Sequence, residues 1–151
     1  MKLIKKFNYR KIVSLIWQQQ GDPFFNAKGL GIGVFSGCFP FFGFQTLLGI
    51  LLAKLFRGNI VLAAIGTWIS NPFTYIPLYL LNYKVGSIFI ISKINIDINT
   101  FSNNENIFQK GFDVVLRLII GSCIVGIIFG ILSGFLSYLF YKKIFNRKIL
   151  K

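Results

Sequence analysis

LIIGSCIVGIIFGILSGFLSYLFY, residues 118–141, decides the fold class. These 24 residues contain neither a charge nor a proline, and Arg117 and Lys142 bracket them. A membrane-spanning helix needs about 20 mainly apolar residues, so the stretch reads as one continuous transmembrane helix. Ser122, Gly126, Gly130 and Gly134 recur at every fourth residue and so share one stripe of that helix. Small residues at this spacing let a second helix come close in lipid, where hydrophobicity no longer drives association. The stripe predicts a packing face for another segment of the chain or for a second copy in a homo-oligomer.

Working back from this helix, two further stretches lack any charge, Gly29–Ala53 and Gly58–Tyr83. Both qualify by length as spans, but both are broken. In the first, Gly37, Pro40 and Gly43 sit at the centre. Proline removes a backbone donor and clashes with the preceding turn, and the glycines loosen the chain around it. The two arms are then about 16 and 20 Å long, each too short for about 30 Å of hydrocarbon. The second stretch breaks at Asn71-Pro72, with Pro77 following, and the residue before a proline is biased away from helix. Each stretch is either a kinked span or a re-entrant turn.

Charge placement favours a hairpin. If residues 29–57 enter and leave on one face and residues 58–92 cross once as a broken span, 13 of the 17 basic residues fall on that face. They are six at or before Lys28, then Lys54 and Arg57, then five in the tail. Only Lys84, Lys93, Lys110 and Arg117 lie opposite. Positive residues collect on the cytoplasmic side, so both termini are expected there. Residues 93–113 read as a polar loop on the far face and 114–141 as the last span. Residues 142–151 then form a basic cytoplasmic tail. Residues 1–26 read as a basic amphipathic segment on an anionic lipid surface, with no signal-peptide pattern.

Composition agrees with this layout. Of 151 residues, 54% are hydrophobic, 18 are Phe, and 14% are charged against about 25% in soluble domains. The net charge of +13 is topological, because the basic residues flank apolar runs and no nucleic-acid module accompanies them. No nucleic-acid partner is expected; the expected partner is the anionic cytoplasmic leaflet. Cys38 and Cys123 sit inside apolar runs and read as small packed residues.

Catalysis has few tools here. The chain has no histidine and four carboxylates without a paired arrangement, so no catalytic residue, metal site or cofactor is expected. Gly29-Leu-Gly-Ile-Gly33 lacks the dinucleotide spacing and reads as helix packing. The candidate site lies at the two breaks: Pro40, Gln45, Asn71, Pro72, Thr74, Pro77 and Tyr79. Polar groups at membrane depth need hydrogen-bond partners. They either line a path for a solute or cap broken helices and tie the breaks together. Paired broken segments, here Pro40-Phe-Phe-Gly-Phe44 and Pro72-Phe-Thr-Tyr-Ile76, are a transporter pattern. Lys54 and Arg57 read as interface anchors.

Pro40-Phe-Phe-Gly-Phe-Gln45, Arg57-Gly-Asn59 and the run Gly66–Tyr79, with its Asn-Pro-x-Thr-x-x-Pro-x-Tyr core, together resemble an uncharacterised bacterial membrane family. That family is known as domain of unknown function 2062. The resemblance covers the chain from about Ala27 to the end of the last hydrophobic helix. It implies a fold and a bacterial inner-membrane location, and the family has no established activity to carry over. The expected fold is all-α and polytopic, with two proline-broken segments, the first either re-entrant or a kinked span, and one continuous C-terminal span. Two functions are expected: a small transporter or permeation-pathway protein, or a membrane scaffold that packs through its Gly/Ser stripe.

Overall fold

The computed structural model of the chain describes residues 22–41, 43–90 and 104–149. Among these residues there are five α-helices and no strand: α1 (Pro23–Gly37), α2 (Phe44–Leu55), α3 (Ile60–Gly66), α4 (Tyr75–Phe89) and α5 (Asn104–Ile149). A single 3-10 turn, Thr67–Ile69, continues α3. Most of the amphipathic segment expected over 1–26, most of the loop expected over 93–113 and the last two residues of the tail lie outside the described residues.

The sequence explains where each helix stops. Pro23 opens α1 in its first turn, where the missing N–H costs nothing. Pro40 forbids helical geometry at Phe39, so α1 closes with the Cys38 and Phe39 N–H groups bonded back to Phe35 and Ser36. Gly43 takes a left-handed φ of 81° that reverses the chain into α2. At the other end of α2, Arg57 sits at φ 53°, with Gly58 N–H on the Ala53 carbonyl and Arg57 N–H on Lys54. This is a Schellman cap with arginine where glycine is usual. Asn59 then caps α3, its Oδ1 accepting from Val61 and Leu62 N–H at 3.0 and 3.2 Å. Pro77 lies in the first turn of α4 and starts that helix without breaking it.

α5 is longer than the span expected over 114–141. Its 46 residues give about 69 Å of helix, from Asn104 to Ile149. The loop expected up to 113 is thus helical from Asn104, and the tail expected from 142 continues the helix. Neither stretch contains a proline, and polar residues such as Glu105, Gln109 and Lys110 are good helix formers once a helix is nucleated beside them.

α1 and α2 fold back on each other as an antiparallel pair. Lys28 near the start of α1 donates to the Phe56 carbonyl past the end of α2, at 2.9 Å, and Gly49 of α2 faces Ser36 near the end of α1. α3 returns alongside α1 in the same direction. Gly29 meets the Asn59 backbone, Gly33 meets Ala63 and Gly37 meets Thr67, a constant offset repeated every fourth residue. The opposite face of α1 lies on the C-terminal half of α5: Gly31 meets Gly130 and Gly134, and Phe35 and Cys38 meet Gly126. α4 packs on the N-terminal half of α5, where Gly121 meets the Asn82 backbone and Gly86 meets that of Arg117. α1 and α4 therefore lie end to end along α5, both antiparallel to it.

Burial is inverted relative to a water-soluble core. Nine buried side chains among the described residues are polar or charged, against eight hydrophobic ones, most of them small. Meanwhile 27 large hydrophobic side chains are exposed, including Trp68 at 77% and Phe73 at 91%. Among the described residues one stretch, Gly111–Lys143 within α5, is long and apolar enough to cross a membrane.

Candidate functional site

The first helix break lies against the middle of α5. There the carbonyl of Cys38 accepts a hydrogen bond from Asn82 Nδ2 at 2.8 Å. The same nitrogen donates to Ser122 Oγ at 2.9 Å. Three elements are thereby joined: the end of α1, the middle of α4 and the stripe of α5. Cys38, Asn82 and Ser122 are all 0% exposed. Asn82 satisfies both of its donors, while its Oδ1 is buried with no hydrogen-bond partner.

The second break is a self-contained turn. Asn71 Oδ1 accepts from the N–H groups of Phe73 and Thr74 at 2.9 and 3.1 Å, the pattern of an Asx turn. Thr74 Oγ1 accepts from Asn71 N–H at 3.0 Å and donates to the Ile69 carbonyl at 2.6 Å. Asn71 and Thr74 thus cap each other across Pro72, which is itself exposed. Their polar atoms are spent on the backbone of the turn. Tyr79, one turn into α4, lies against the Ser70 side chain and packs on the cluster of Cys38, Leu78 and Val125. It is one of the side chains that bring the second break near the first.

The remaining site candidates sit around these contacts. Pro40 is half-buried in the reversal between α1 and α2. Gln45 lies in the first turn of α2, 8% exposed, with Oε1 buried and unpartnered. Its neighbour Thr46 shares a 3.1 Å hydroxyl contact with Thr67, whose Oγ1 donates to the Ala64 carbonyl. This contact ties the hairpin to the 3-10 turn before the second break. Pro77 is exposed on α4, away from the buried contacts. Lys54 and Arg57 are exposed where α2 ends. Gly126, Gly130 and Gly134 face α1 of the same chain, and Ser122 faces Asn82.

Two polar groupings escaped the reading of the sequence. Asn59 Nδ2 donates to Asn26 Oδ1 at 2.7 Å with both side chains buried, so one amide caps α3 and clamps it to α1. On α5, Arg117 Nε stands 2.9 Å from Asp113 Oδ2 as an ion pair off hydrogen-bond alignment. Its Nη1 donates to Ser87 Oγ at 3.2 Å, and its guanidinium lies 5.7 Å from the centre of the Tyr83 ring. The only signal for either pair was an asparagine or charge beside an apolar run.

The chemistry available is recognition by hydrogen bonding. No group of three metal-ligating side chains occurs among the described residues. Both cysteines are unpaired thiols, Cys38 fully buried. Among the described residues, the amide oxygens of Gln45 and Asn82 are buried acceptors without a hydrogen-bond partner. In a dry interior an unused acceptor is costly, and it gains from any donor that reaches it.

Comparison with known proteins places the chain by family alone. The family model described as "Uncharacterized protein conserved in bacteria (DUF2062)" matches residues 7–149. No curated protein and no solved structure matches the chain.

Proposed function

We propose that this chain, which belongs to that bacterial family of unknown function, is a multi-pass inner-membrane protein of the transporter or permeation type. The observation that carries the membrane reading is the inverted burial: large apolar side chains face outward over all five helices, and amides and hydroxyls face inward. Water does not tolerate so wide an apolar surface on a monomer, whereas lipid does. In that setting α1 and α2 form a re-entrant hairpin. Its tip reaches the level of Ser122, about 24 Å along α5 from the level of Tyr138. α3, the 3-10 turn and α4 make one interrupted crossing. Lys28, Lys54, Arg57, Lys142 and Lys143 gather at the end where the hairpin opens, as expected of a cytoplasmic face.

The transport reading rests on Asn82, a buried amide that joins the first break to α4 and α5 and keeps its oxygen unpartnered. Interrupted helices with polar side chains at mid-depth are how transporters build solute sites. The glycine stripe of α5 is covered by α1, so a scaffold reading would draw on the basic cytoplasmic face instead. Reporter fusions at both termini test the topology: both should report the cytoplasm, and opposite sides would remove the hairpin. Flux from proteoliposomes across a broad solute panel tests the activity. Gln45→Met is the informative variant, because removing an unpartnered acceptor should keep or raise stability. Loss of flux with an intact melting curve supports the reading. Undiminished flux in Gln45→Met and Asn82→Leu alike, or none in the parent, would sink it.

A further inference from the structure

α1, α2 and the C-terminal half of α5 enclose an open groove of about 980 Å³, remote from the helix breaks in its outer half. Its floor is made by Gly31, Gly130 and Gly134, where neither helix projects a side chain. Its walls are apolar, among them Phe35, Leu52, Ile131 and Phe135. Along α5 it runs from Tyr138 to Gly126, about 18 Å. One leaflet of a bilayer has about 15 Å of hydrocarbon, half of the roughly 30 Å core.

Polar groups in the groove are confined to one end. Asp22, Lys28 and Tyr138 line it there, and Lys142 Nζ lies 5.7 Å from the centre of the Tyr138 ring. Lys28 Nζ donates to the Phe56 carbonyl and stands 5.1 Å from the centre of the Phe24 ring, so it is held at the mouth with two donors to spare. Lys54, Arg57 and Lys143 are exposed at the same end. Asp22 is the one acidic side chain in the lining.

From this juxtaposition we propose that the groove binds one acyl chain of an anionic phospholipid, with the lipid phosphate held between Lys28 and Lys142. The inference rests on the membrane reading above and adds a defined lipid site to it. The length of the slot fits a chain from a single leaflet, its lining excludes a polar solute, and the charge at its mouth selects the headgroup. A basic side chain near an anionic lipid surface favours that lipid by about fivefold.

Quenching by brominated lipids tests the site in the full chain, reconstituted in phosphatidylcholine nanodiscs. Phe135→Trp, at a 60% exposed wall position, is the groove reporter, in a Trp17→Phe, Trp68→Phe background. Ile60→Trp in the same background reports on ordinary lipid at the same end but away from the groove; Ile60 is 42% exposed. The expected result is half-maximal quenching of the groove reporter at about 25-fold less brominated phosphatidylglycerol than brominated phosphatidylcholine, about fivefold for each of the two lysines. Ile60→Trp, three residues from the exposed Arg57, should show a smaller difference between the two lipids, and one that does not depend on Lys28 or Lys142. Lys28→Gln with Lys142→Gln, which keeps a donor at Phe56, should abolish the preference, and Lys28→Arg should keep it. Equal ratios at both reporters would overturn the lipid site and leave the membrane reading standing. Absence of quenching at both reporters would overturn the two together.

Discussion

Replacing Gly121 by alanine sets helix propensity against helix packing, and the packing should win. Alanine is favoured over glycine in a helix interior by about 0.8–1.0 kcal/mol. A Cβ at 121, however, would land on the backbone carbonyl of Asn82, whose Cα lies 2.9 Å from the same point. Neither group is a flexible side-chain end, so α4 and α5 must part by about 1 Å, a gap that forfeits a quarter to a half of the dispersion energy across it. The movement also stretches the 2.8 and 2.9 Å hydrogen bonds of Asn82, each worth about 0.5–1.5 kcal/mol. With an overpacking cost of about 1–3 kcal/mol, the net loss after the propensity gain is about 2 kcal/mol. Gly111→Ala is the matched control, since a Cβ there meets nothing within 4 Å, and it should gain up to about 1 kcal/mol. Helix circular dichroism against denaturing detergent in mixed micelles measures both. Equal stability of the two variants would refute the close crossing of α4 and α5.

Two further substitutions test the ends of α2 and α3. Arg57→Gly removes a left-handed conformation from a non-glycine residue and should stabilise the fold by up to about 1 kcal/mol; a loss in the same melting assay would show that the arginine side chain contributes more than the cap costs. Asn26→Ala and Asn59→Ala should each cost about 2 kcal/mol, because each leaves a buried amide without its partner and the second also removes a cap. The double variant should cost clearly less than the sum of the two, and full additivity would count against the clamp.

The elements that were legible in the sequence are those dictated by local backbone chemistry. Pro40 with Gly43 required a break in the helix, whether kink or reversal, and Asn71-Pro72 required a stop. The uncharged run 118–141 required a helix, and the structure has one there. What stayed illegible depends on partners far away in the chain. Asn26 and Asn59 are 33 residues apart and Asn82 and Ser122 are 40 apart, so no spacing rule joins them. The start of α5 at Asn104 was hidden because asparagine, serine and glutamate read as loop when no neighbouring helix is known to extend into them. The second break shows the limit from the other direction. Asn71 and Thr74 stood out as polar residues at depth, yet their atoms are consumed by the turn they build, and a buried amide with spare capacity is Asn82, further along α4.

The glycines carry this point to its consequence. A period of four in Gly29, Gly33 and Gly37, and again in Gly126, Gly130 and Gly134, says which residues share a face, not what covers it. The structure resolves the first set onto α3 and the second onto α1, while Gly31, out of phase with its neighbours, supplies the contact with α5. Because α1 uses both of its small-residue faces inside one chain, a second copy docking through the α5 stripe would have to displace the hairpin. Interhelical contacts in lipid are individually weak, a typical interhelical polar pair contributing about 0.6 kcal/mol. Such displacement would forfeit many of them together with the Asn82 bonds to Cys38 and Ser122. A second copy docking through the α5 stripe would therefore compete with α1, whereas docking elsewhere would leave the Asn82 junction intact.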